Sequence, residues 1–153
     1  MAPSAVTIHA SAVLVGRRAV LIRGPSGSGK SRLAFDLIEM AQTGTLTFAR
    51  LVADDRVLLE ASHGRLVARP PAALAGLIEV RGLGLVRLAH EESAVVGMVV
   101  DLAATDSERL PEPAARKTEI EGVALPRLAV ASGDAALPAV CAYMLHEMTS
   151  ANG

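Results

Sequence analysis

Tryptophan is absent from this chain of 153 residues, which has only one tyrosine and two phenylalanines. The core must therefore be built from Ala, Val and Leu, and the aromatic platforms on which single-stranded nucleic acids stack are missing. Lysine and arginine number 15 against 16 acidic residues, a net charge of −1, so no basic surplus exists to grip a nucleic-acid backbone. Cys141 is the only cysteine, which excludes an intramolecular disulfide and points to a reducing compartment. No apolar run reaches the ~18 residues of a membrane span. The opening Met1-Ala2-Pro3-Ser4 lacks the early positive charge of a secretory signal, and no repeat at a solenoid period is visible. These absences lead to the expectation of a cytoplasmic, single-domain protein with neither nucleic acid nor membrane as partner. A chain of this size buries roughly 68–70% of its unfolded surface, enough for a real core.

What is present centres on Gly24-Pro25-Ser26-Gly27-Ser28-Gly29-Lys30-Ser31, which fits G-x-x-x-x-G-K-[ST] at every fixed position. The apolar, partly β-branched run Ala19-Val20-Leu21-Ile22 precedes it as a buried strand would. After it, Leu33, Ala34, Leu37, Ile38 and Ala41 recur at helical spacing up to about Gln42. Strand, glycine loop and helix are the context that makes the pattern a phosphate-site hypothesis. Glycines let the backbone curl around an anion, and consecutive N–H groups with the helix N-terminus then face the phosphates. Lys30 is suited to reach the β- and γ-phosphates of ATP, and Ser31 to offer its hydroxyl to Mg²⁺.

Elsewhere, Val6 to Val15 reads as extended, with Val6, Ile8, Ala10 and Ala12 on one side and Val13 and Val15 on the other. Gly16-Arg17-Arg18 is a short turn, after which Ala19–Arg23 pairs antiparallel. His9 lies in the first run, fifteen residues before Gly24. Arg50–Asp55 is a short strand ending in two adjacent carboxylates, Asp54 and Asp55. They read either as a polar strand end or, downstream of a phosphate loop, as the metal-holding and proton-accepting acids of phosphoryl transfer. A hairpin is expected over Val57–Ala61 and Arg65–Ala68, with His63 solvated at its tip. A short helical turn follows at Ala72–Gly76. Leu77–Leu85 carries Glu79 and Arg81 inside an apolar run and reads as a bulged strand or a ligand-approaching loop. Val95–Leu102 is another strand, 103–116 an exposed loop, and Lys117–Val123 with Leu125–Val130 a hairpin across Ala124. A final helix is expected over Ala135–Met148, with Pro138 in its first turn. On it, Val140, Tyr143, Met144 and Met148 belong to the core or an interface, and residues 150–153 should fray.

Several of these motifs, in this order, resemble the catalytic domain of HPr kinase/phosphorylase, an enzyme that phosphorylates a serine of the phosphocarrier HPr and can reverse the step with inorganic phosphate. His9, Gly24–Ser31, Val52-Ala53-Asp54-Asp55 and Ile78-Glu79-Val80-Arg81-Gly82-Leu83-Gly84-Leu85 are similar to the family's histidine, P-loop, paired-aspartate motif and signature. The last is the most distinctive, and the resemblance is strong from about His9 to Leu85. It implies an α/β fold: a P-loop-containing mixed β-sheet with flanking helices, related to phosphoenolpyruvate carboxykinases.

Residue by residue, the resemblance implies that Asp55 is the catalytic aspartate, a base toward the seryl hydroxyl and an acid in the reverse direction. His9 orients it. Asp54 helps hold Mg²⁺ through its waters, Glu79 contributes to the metal region, and Arg109 matches an arginine that contacts phosphate or substrate. ATP and Mg²⁺ are the implied cofactors and an HPr-like protein the implied partner, with homo-oligomerisation left open. No N-terminal domain precedes the motifs, which resembles the short α-proteobacterial form and suggests residues 1–153 as one catalytic domain. The family's basic loop near the C-terminal end is not recognisable; Leu125-Pro126-Arg127-Leu128 is the nearest stretch. Phosphorolysis, assembly and effector control therefore stay open. Two rivals remain at this point: a P-loop small-molecule kinase or ATPase, and a non-catalytic nucleotide sensor that binds HPr.

Overall fold

The structure is a computed structural model that describes residues 5–150, with side chains as far as His146. The anticipated hairpin is formed by β2 (Ala10–Val15) and β3 (Arg18–Arg23), paired in register from Ala10–Arg23 to Val15–Arg18. β4 (Ala49–Ala53) runs antiparallel along the other edge of β2. On its far side β3 lies parallel to β9 (Ala94–Leu102), pairing Val20 with Met98 and Arg23 with Asp101.

β9 is the strand around which the sheet curls. Along the edge opposite β3, its start pairs antiparallel with β6 (Arg65–Arg69) and its end pairs parallel with β11 (Val123–Val130). β6 continues through β5 (Val57–Ser62) to β1 (Val6–Ile8), and β11 carries β10 (Lys117–Ile120). The mixed sheet therefore has the order β1-β5-β6-β9-β3-β2-β4, with β11 and β10 as a branch.

Alternation along the strands divides the core in two. Val13, Val20, Ile22, Met98 and Val100 face helix α1 (Lys30–Gln42) and helix α2 (Ala136–Ser150). Ala10, Ala12, Leu21, Val57, Leu59 and Leu66 fill the inside of the curl. Small residues at Ala10, Ala12, Ala19, Ala53 and Ala68, all essentially buried, let the curled halves approach each other. Such a core is filled without aromatic bulk. The extended run expected over Val6–Val15 is two strands, β1 and β2, that part at His9, and Val6 lies 36% exposed on the edge strand β1.

Two loops differ from expectation. Leu77–Leu85 is not one bulged strand but most of a hairpin of its own, β7 (Leu77–Val80) and β8 (Gly84–Arg87). Leu83 N–H donates to Val80 O at 2.9 Å, closing the turn, and Gly82 takes the left-handed φ of 87° that the turn requires. The β10–β11 turn lies at Glu121-Gly122 rather than Ala124. Both of its central residues have positive φ, 50° and 78°, the geometry that matches the twist of paired strands. Val140 and Met144 are buried as anticipated. Residues from 151 onward, and the Met148 side chain, lie outside the described residues.

Candidate active site

The glycine-rich stretch connects the C-terminal end of β3 to the first turn of α1. Gly29, with φ 98°, is the N-cap of α1 and turns the chain into the helix. At Gly24 the constraint is space: a Cβ there would sit 2.5 Å from Ser28 Oγ and 3.1 Å from the Leu102 carbonyl. Lys30 is only 8% exposed and donates from Nζ to the carbonyls of Gly24 at 2.8 Å and Pro25 at 3.0 Å. The ammonium ties the start of the loop to its end.

Asp54 and Asp55 follow the last residue of β4 and have separate environments. Asp54 is 4% exposed. Its Oδ1 accepts from Ser11 Oγ at 2.6 Å and Ser31 Oγ at 2.8 Å, and its Oδ2 from Ser31 Oγ at 2.9 Å and Glu79 N–H at 3.0 Å. Three other segments of the chain thus converge on one buried carboxylate, which is how such a charge is tolerated in the interior. The Ser31 hydroxyl and the Asp54 carboxylate together offer hard oxygen ligands of the kind Mg²⁺ prefers. Among the described residues no group of three or more His, Cys, Asp or Glu converges to hold a metal alone.

Asp55 points the other way. Arg56 N–H donates to Asp54 O at 2.8 Å, and Asp55, between them, has φ 67°. This tight three-residue turn costs about 1–2 kcal/mol in a non-glycine residue and throws the Asp55 side chain out of the strand. There its Oδ1 meets His9 Nε2 at 2.7 Å, the carboxylate remaining 62% exposed and the imidazole 47%. His9 lies where the chain leaves β1, paired with β5, and enters β2, paired with β3 and β4. That change of partner is what frees its ring.

His9, Lys30, Ser31, Asp55, Glu79 and Arg81 line one cavity of about 570 Å³ beside the glycine loop. The structure thus brings together the loop, the histidine, both aspartates and the β7–β8 hairpin. Glu79 reaches Asp54 through its backbone N–H. Arg109 is not among the cavity's lining residues; it is exposed in the loop after β9.

Sequence reasoning missed Ser11, whose hydroxyl fixes Asp54, and an ion-pair chain beneath the loop. Arg23, the residue before Gly24, grips Asp101 through Nε and NH2 at 2.7 and 2.8 Å. Arg127 of β11 binds the same carboxylate at 2.6 Å and reaches Asp106 at 2.8 and 3.0 Å. Burial pushes the Asp101 carboxyl up, but the hydrogen bonds and charges of Arg23 and Arg127 together outweigh it and hold it below the ordinary range. The Arg127 hydrogen bond likewise lowers Asp106, and the pairings with Asp106 and Asp101 raise Arg127, which stays charged. Leu125-Pro126-Arg127-Leu128 lies within β11, in the strand expected over Leu125–Val130. Charged residues within three apolar strands, Arg23 at the end of β3, Asp101 near the end of β9 and Arg127 inside β11, were the available signal.

The model of the HPr Serine kinase C-terminal domain matches residues 1–136. HPr kinase/phosphorylase of Clostridium beijerinckii is 39% identical over 79 residues, 52% of this chain and 24% of that protein. The enzyme of Clostridium perfringens is 37% identical over 98 residues, 64% of this chain and 28% of the relative. The matched stretches thus span about a quarter of these relatives' length. The solved HPr(Ser) kinase/phosphatase from Coxiella burnetii superposes with a TM-score of 0.78 at 22% identity, covering 97% of this chain and 99% of that one. That likeness bears out the α/β fold with its mixed, curled sheet. Among the described residues no helix is long and apolar enough to cross a membrane.

Proposed function

Because this chain belongs to the HPr Serine kinase C-terminal domain family, we propose that it is an ATP- and Mg²⁺-dependent protein-serine kinase acting on an HPr-like phosphocarrier. The observation that carries this reading is the solvent-open His9–Asp55 pair facing the same cavity as Lys30 and Ser31. A carboxylate held by a histidine, with its second oxygen free, is equipped to take a proton from an acceptor hydroxyl. His9 keeps Asp55 oriented. Lys30 exchanges its loop carbonyls for the terminal phosphates, which the N-terminus of α1 also faces. Ser31 and Asp54 hold Mg²⁺, with Glu79 bordering the same region, and the bound ion supplies charge neutralisation on the transferring group. Alignment of acceptor and donor in one cavity contributes much of the rate.

The acceptor side supports a macromolecule over a metabolite. Leu83 is 74% exposed and Leu85 69%, on the hairpin whose Glu79, Val80 and Arg81 line the cavity. The same carboxyl that accepts a proton in one direction returns it in the other, so phosphate-dependent removal of the seryl phosphate, with release of pyrophosphate, is compatible with this machinery.

Labelled ATP, Mg²⁺ and the cognate HPr test the reading. A seryl phosphate should appear with wild-type protein and fall by a factor of about 10² or more with Asp55→Asn, the range for loss of a general base, while ATP binding is retained. Rapid labelling of a metabolite with HPr untouched, or an Asp55→Asn protein as active as wild type, would overturn it. Adding phosphate to seryl-phosphorylated HPr and assaying pyrophosphate tests the reverse direction.

A further inference from the structure

The glycine loop has a second face that the transfer chemistry leaves unused. There a separate cavity of about 420 Å³ is walled by the start of α1, the end of β9 and the turn from β11 into α2. We propose that this cavity receives the nucleoside of the phosphate donor, so that the turn Gly133-Asp134-Ala135 and the first residues of α2 set nucleotide selectivity. The proposal rests on the donor reading above and adds where the non-reacting end lies.

Continuity is the first argument. Gly29, Arg32 and Asp36 line both cavities. Asp55 and His9 mark the reacting end of the larger one. A polyphosphate lying along the loop therefore continues, away from that end, past Gly29 and Arg32 into the smaller cavity.

Charge is the second. The catalytic cavity sets three cations, Lys30, Arg32 and Arg81, against the three carboxylates Asp36, Asp55 and Glu79. The smaller one carries two carboxylates, Asp36 and Asp134, against Arg32, which pairs with Asp36 only at 3.8 Å. This balance repels further phosphate and suits a neutral group rich in donors, such as ribose hydroxyls and a base amine. The walls agree: Leu33 and Leu102 are apolar and almost fully buried, and Ala136 and Leu137 add further apolar lining. Flat apolar surfaces with a few polar groups are the usual lining of small-molecule pockets.

Calorimetric titration with ATP, ADP and inorganic tripolyphosphate, each with Mg²⁺, tests the assignment. Wild-type protein should bind ATP about tenfold or more tighter than tripolyphosphate, a difference of roughly 1.4 kcal/mol. Ala135→Trp, which fills the cavity from an exposed turn, should erase that preference and leave tripolyphosphate affinity unchanged. Asp134→Lys, a rim substitution that needs no repacking, should weaken ATP relative to tripolyphosphate. ATP bound no tighter than tripolyphosphate, or an ATP preference untouched in both variants, overturns the nucleoside pocket alone. Wild-type protein that binds neither ligand overturns the donor reading and the pocket with it.

Discussion

Asp54 is the residue on which the site's architecture depends. A carboxylate 4% exposed is costly to bury without donors around it, and here they come from Ser11, Ser31 and the Glu79 backbone. Ser11→Ala removes one donor and leaves the others. Hydrogen bonds to charged groups contribute about 1.5–3 kcal/mol, so the variant should unfold at lower urea with a loss in that range and an unchanged m-value. The paired aspartates stood out in the sequence because two adjacent acids end an apolar strand. Their different burial did not, since it comes from the left-handed turn at Asp55. Ser11 gave no signal at all: a serine within Ala10–Val15 reads as a core hydroxyl until Asp54 is found opposite it.

At the level of the element, the β7–β8 hairpin is the least self-sufficient part of the site. It forms a two-stranded sheet separate from the main one, and isolated hairpins are marginal in water. Ile78, fully buried in the α1-side core, anchors it. The adjacent Glu79 N–H is the atom that bonds Asp54. Ile78→Val should cost about 0.5–1.5 kcal/mol and speed hydrogen exchange at the Glu79 amide more than at amides of β3. Equal acceleration at both would mean that the hairpin is not the weaker unit. Sequence pattern identified β7 by its apolar run but not β8, because Leu83 and Leu85 face solvent and the alternation that marks a half-buried strand is missing. The turn at Glu121-Gly122 was misjudged for a similar reason: positive φ at a glutamate is not written in its residue type. The glycine loop, by contrast, was fully legible, since its residues, flanking strand and helix all point to the same geometry.

Across the whole molecule, Asp101 joins strands that no local signal connects. Its carboxylate holds Arg23 of β3 and Arg127 of β11 from the end of β9. Because its pKa is depressed in the folded state, its contribution to stability is present above the unfolded value of about 3.9 and is lost as pH falls through the folded value. Asp101→Asn should therefore be less stable than wild type at pH 7, and the gap should close below about pH 4 as the wild-type carboxyl protonates. Urea titrations of both proteins across that window measure it; a gap independent of pH would assign the loss to packing instead. Fold class was legible through the motifs that carry the family resemblance, but the parallel partners of β9 were not, because periodicity says which residues are buried and not which strands meet. The pairing of Val20 with Met98 also sets an order in time. Contacts so distant in sequence form slowly, since the intervening chain must be closed before they repay it. As the chain leaves the ribosome, β3 and the glycine loop emerge long before the strand that must lie beside them. A nascent chain ending before Ala94 carries the whole motif without the scaffold that shapes it, and so remains exposed to chaperones and proteases until β9 arrives.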